Sequence, residues 1–179
     1  MQTKFKSILA TVTPFLTKKG YIQKENYFYK NQDDFIFNFN FDVVDDSPEN
    51  FKFFIQCCIY YQHFQEILKL DQEEFPKGYS NFFYKTQDQF NPKLEGVILL
   101  TTETKVEILA SEIQIALQNT IDLFVKVIDK NTLVDLSLEH DLLTNYDNRF
   151  RYFKECNDAY YTTKYSELIT EKKIGRAHV

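Results

Sequence analysis

Residues 35–42 read Phe35-Ile36-Phe37-Asn38-Phe39-Asn40-Phe41-Asp42. Phenylalanine holds every odd position, and Asn or Asp holds three of the four even ones. Successive side chains of an extended chain point to opposite faces, so this period of two puts four rings on one side. Ile36, Asn38, Asn40 and Asp42 fall on the other. A helix would scatter the same rings around its axis. The segment is therefore predicted as a β-strand whose aromatic face buries against the first, N-terminal helix. Each ring moved out of water contributes about 2 kcal/mol before ordering entropy is subtracted.

Neighbouring segments fit a sheet. Residues 27–30 are aromatic and extended in pattern, and Asn31-Gln32-Asp33-Asp34 makes a polar turn into the Phe strand. Asp45-Asp46-Ser47-Pro48-Glu49-Asn50 marks the next turn. From Phe51 to Tyr61 a second long strand puts Phe53, Ile55, Cys57, Ile59 and Tyr61 on one face. Its other face carries Phe54, Cys58 and Tyr60, which predicts a central strand covered on both sides. Further strands are predicted at 79–85, after a turn at 76–78, and at 96–100. A short helix is predicted through Phe64, Ile67 and Leu68.

Helical spacing dominates the two ends. Phe5, Ile8, Leu9, Val12, Phe15 and Leu16 recur every three or four residues. Lys18-Lys19-Gly20 has the chemistry of a helix C-terminus. Too few basic residues line the polar face for a membrane-lying helix. The longest helical stripe runs through Val106, Leu109, Ile113, Leu117, Ile121, Phe124, Val125 and Ile128, with Thr104 and Glu107 spaced as a capping box. A shorter helix follows from Asn131 or Thr132, and residues 149–170 read as a last one. Together these elements predict one α+β domain over residues 1–172. It has a mostly antiparallel sheet of about four to five strands, with the N-terminal helix and the C-terminal helices packed on one face.

A chain of 179 residues is long enough to bury a core without disulfides or metals. Its net charge of −5 speaks against phosphate binding, so no nucleic-acid partner is expected. No apolar run approaches a membrane span. Three cysteines, two of them adjacent, do not make a disulfide framework, which fits a reducing cytoplasm.

The order of elements resembles a bacterial family, domain of unknown function 4304. The likeness is carried by Pro14, Leu16, Lys18, Lys19, Gly20, Tyr21, Phe28 and Tyr29, and by the later stretch 104–136. It covers roughly residues 4–137 and implies no catalytic residues. The final seven residues, Lys173-Ile174-Gly175-Arg176-Ala177-His178-Val179, resemble a translated sequencing-library adapter. Residues 173–179 are therefore expected to be a non-native tail. Without Lys173 and Arg176 the net charge falls from −5 to −7.

No HExxH, GxSxG, GxGxxG or Walker pattern occurs. Cys57 and Cys58 point to opposite faces of a strand, so at most one can join His63, and they read as structural thiols. Glu139, His140 and Asp141 are adjacent on a helix and point apart. Asp33 and Asp34 read as turn residues. No catalytic residue, metal site or cofactor is assigned. The candidate binding surface is the polar side of the Phe strand with the acidic turn after it: Asn38, Asn40, Asp42, Asp45, Asp46 and Glu49. Such a surface suits a basic protein partner, as in an immunity-type protein. The competing expectation is a small hydrolase using His63 or His140 with a carboxylate.

Overall fold

The Phe strand lies inside an antiparallel sheet. The structure, a computed structural model, describes residues 1–47, 50–68, 82–139 and 146–176. Strand β3 (Phe35–Asp46) pairs with β2 (Tyr27–Gln32) on one side and β4 (Phe51–Tyr61) on the other. A short β1 (Ile22–Lys24) borders β2. Strands β5 (Phe83–Thr86) and β6 (Ile98–Leu100) share the far edge of β4, β5 along Gln56–Ile59 and β6 along Phe51–Phe53. Among the described residues the sheet has six strands, all antiparallel to their neighbours. The 76–78 turn and residues 79–81 lie outside the described residues.

Helices α1 (Gln2–Lys18), α2 (Gln62–Ile67), α3 (Val106–Phe124), α4 (Lys130–Glu139), α5 (Tyr146–Glu155) and α6 (Ala159–Arg176) complete the α+β fold. Their buried apolar residues join one core with the aromatic face of the sheet. Phe35, Phe37, Phe39 and Phe41 are all buried there. The cover differs from the expected one. Phe124 of α3 stacks on Phe37 and Phe39, with centroids 5.3 and 5.7 Å apart. From α1, Phe5 meets Phe51 and Phe53 of β4 at 5.1 and 5.0 Å. One helix about 10 Å wide cannot cover two strands' length of rings, so α1 and α3 share the task.

Gly20 ends α1 as its sequence suggests. Its φ of +87° is the left-handed turn that favours glycine, and the amides of Gly20 and Tyr21 return to the carbonyls of Thr17 and Leu16. α1 continues through Pro14, whose missing donor falls opposite the exposed Ala10.

Other boundaries depart from the periodic reading. The Thr104–Glu107 capping box does not form: Lys105 is the N-cap of α3, and the Thr104 hydroxyl accepts the Thr101 amide at 2.8 Å. α3 ends at Phe124, leaving Val125 and Ile128 at 63% and 70% exposure. The Lys126 and Val127 amides reach back only three residues, and this tightening turns Val127 into the core instead. The Asp129 carboxylate then accepts the Thr132 amide at 2.8 Å and starts α4. The predicted last helix is two helices, α5 and α6, broken at Asn157 with φ +54°. β1 escapes sequence reading because its three residues are all exposed and show no alternation. None of the described helices is long and apolar enough to cross a membrane.

Candidate functional site

The face of the sheet opposite the core, here the outer face, carries the even-numbered residues of β4 and, as far as Asp42, of β3. Register places Tyr29, Asn38, Cys58 and Tyr84 in one row across β2, β3, β4 and β5. The next row is Tyr27, Asn40, Gln56 and Thr86. Ile36, Cys58 and Tyr60, with Tyr29 and Tyr84 against them, form a small apolar cluster separate from the main core. No described helix contributes to it.

Burial is graded along this face. Ile36, Asn38, Cys58 and Tyr60 are buried, Asn40 is 9% exposed, and Asp42, Phe54 and Gln56 are half-buried. Asn38 and Asn40 are thus not the solvent-facing residues the sequence suggested: Asn38 lies between Tyr29 and Cys58, and Asn40 between Tyr27 and Gln56. Asn38 has no hydrogen-bond partner at either amide atom. The expectation that β4 is covered on both sides holds at its Cys58–Tyr60 end and not at Phe54.

Asp42 organises the polar part. Its two carboxylate oxygens accept Asn40 Nδ2, at 2.7 Å, and Gln56 Nε2. Burial raises its pKa, and the Asn40 bond opposes the rise. The pKa of Tyr27 is raised by burial first and then by the charge of Asp42. Past Asp42 the strand carries a β-bulge between Val43 and Asp45. The extra residue sets Asp45 opposite Lys52, on the outer face with Asp42. Asp46 faces Phe51, on the helix side, so the acidic turn is split between faces. The carboxyl of Asp45 lies below its usual range, chiefly through the Ser47 amide at 3.0 Å. Glu49 lies outside the described residues.

An apolar patch that sequence reading missed adjoins these carboxylates. Leu99 sits opposite Lys52 and is 41% exposed, while Val97, one alternation earlier, is also exposed. With half-buried Phe54 they form the open end of the outer face. The doublet Val43-Val44 marks the bulge that realigns Asp45, and no local signal in the sequence brings Val97 and Leu99 beside Phe54.

The remaining candidates are placed as follows. Cys57 points into the core, where Thr120 Oγ1 donates to its sulfur at 3.7 Å, and burial pushes its thiol up to about 12. Cys58 points outward and is also raised by burial. Asp33 takes φ +50° in the β2–β3 turn, as a turn residue does. His63 is exposed, with Nδ1 2.8 Å from the Tyr152 hydroxyl. His140 lies outside the described residues. Among the described residues no three His, Cys, Asp or Glu side chains converge as metal ligands.

No family model, no curated protein and no solved structure matches the chain. The open end of the outer face offers the Asp42 and Asp45 carboxylates and the Gln56 amide near an apolar patch, while the Cys58 thiol and the Tyr60 phenol are buried. These groups suit contact and hydrogen bonding.

Proposed function

We propose that this is a non-catalytic binding protein that holds a basic protein partner on the open end of its outer sheet face. The observation that carries the reading is the placement of Asp42 and Asp45 on the same face as exposed Leu99 and Val97, across β4 with Phe54 and Lys52 between them. An apolar centre flanked by charge is the usual anatomy of a protein interface. Acidic rim groups steer a cationic partner, and the chain's net charge of −5 adds to that attraction. Masking of a toxin's basic site by an immunity-type protein is one form of such binding.

The test is a photo-cross-linking residue at position 52, with position 128, exposed in the connection between α3 and α4, as control. The reading requires a protein of basic isoelectric point captured at 52 and not at 128, and weaker capture when Asp42 and Asp45 become Asn. Equal capture at both positions, or an acidic partner, would remove it.

A further inference from the structure

We infer that the partner contributes an extended segment that adds to the sheet as a strand beside β6. This deepens the reading above and rests on it. β6 pairs with β4 along one edge, and among the described residues nothing pairs with the other. A free strand edge presents alternating N–H and C=O groups, which only another extended chain satisfies in series. Leu99, at the centre of β6, belongs to the outer-face patch, so the two surfaces are continuous.

A groove of about 410 Å³ lies between this edge and the start of α3. Leu99, Ile108 and Leu109 line it, and Ile108 is 58% exposed. Side chains on one face of an added strand have apolar contact there. The edge is held in position, because Lys4 Nζ donates to the Thr102 and Thr104 carbonyls, each at 2.7 Å, and fixes the turn after β6.

Charge selects the segment. Lys93 is engaged by Glu112 at 3.2 Å. At the start of β6, Glu95 lines the groove, and the Asp88 carboxyl lies 3.8 Å from where a Cβ on Gly96 would be. The side-chain partners of Asp88 are the neutral Thr86 and Gln89. Lys105 stands near the other end of the strand. Two carboxylates at one end and the cations Lys4 and Lys105 at the other fit an extended apolar segment with basic residues at one terminus only.

The probe is a fluorescein-labelled peptide of three threonine–valine repeats ending in two lysines, titrated with the full chain by fluorescence polarisation. The same peptide N-methylated at alternate residues, and one ending in two glutamates, are compared with it. The methylated and glutamate peptides are expected to bind weaker by about tenfold or more, and the I108D variant to lose the parent peptide to the same degree. Circular dichroism of I108D checks that it folds. Equal binding of the methylated peptide overturns strand addition and leaves the outer-face reading standing. Preference for the glutamate peptide overturns the basic-partner reading and leaves strand addition standing. No binding of the parent peptide overturns the inference. So does a concentration-dependent dimer in sedimentation that I108D abolishes, since a second copy then occupies the edge.

Discussion

Asp42 and Asp45 lie on the same face of β3 although they are three positions apart, opposite Phe54 and Lys52 respectively. In a regular strand a spacing of three puts side chains on opposite faces. The bulge between Val43 and Asp45 reverses that outcome. Their environments nevertheless push their carboxyls in opposite directions, and this gives the first prediction.

By direct NMR titration, Asp42 should protonate at a higher pH than Asp45. Burial makes ionised Asp42 costly, so its destabilising effect grows as pH rises from the unfolded value, roughly 4, through its folded pKa. The stability of wild type relative to D42N should therefore improve as pH falls through that window. Asp45 and Asp129 act in the other sense: their lowered pKa values stabilise above the unfolded value, and that stability is lost as pH falls through the folded one. A relative stability of D42N that does not change with pH would contradict the assignment.

Asn38 is buried with both amide atoms unpartnered. An unsatisfied buried polar group costs about 1–3 kcal/mol, and valine suits a pleated surface better than asparagine. N38V should raise the unfolding free energy by about 1 kcal/mol in urea titration. A destabilised variant would show that the amide has a partner in solution.

Phe124 is the ring that joins α3 to β3. F124A should cost about 3–5 kcal/mol, whereas V125A, at an exposed position past the helix end, should stay within about 0.5 kcal/mol. Comparable losses in chemical denaturation would mean that α3 continues in the periodic register.

Thiol reactivity should divide the cysteines. Cys57 and Cys58 are buried and held protonated, while Cys156 is only half-buried. Iodoacetamide at neutral pH should modify Cys156 alone in the native protein and all three after denaturation, as read by mass spectrometry. Native modification of Cys57 would show that the core opens there.

Much of the fold was legible because local patterning is strong where one face is buried. Alternation at 35–42 and at Phe51–Tyr61 identified both long strands, and Gly20 marked the end of α1. The stripe from Val106 to Phe124 identified α3, but its apparent continuation to Ile128 did not hold, since apolar spacing alone does not say where the chain turns. The candidate site was legible only in part. Asp42 lies on the side of the strand that its alternation indicated, whereas Asp45 reaches that face only through the bulge, Asn38 is buried and Asp46 faces the helices.

The sequence by itself determined the strand character of residues 35–42, the amphipathic faces of α1 and α3 and the acidic balance of the chain, because these follow from side-chain chemistry and the periods of regular backbone. Only the tertiary structure decided that Phe124 covers Phe37 and Phe39, that the bulge realigns Asp45, and that β6 brings Leu99 beside Lys52. Those relationships join residues roughly 50–90 positions apart or depend on one strand's register against another, and no local period encodes either.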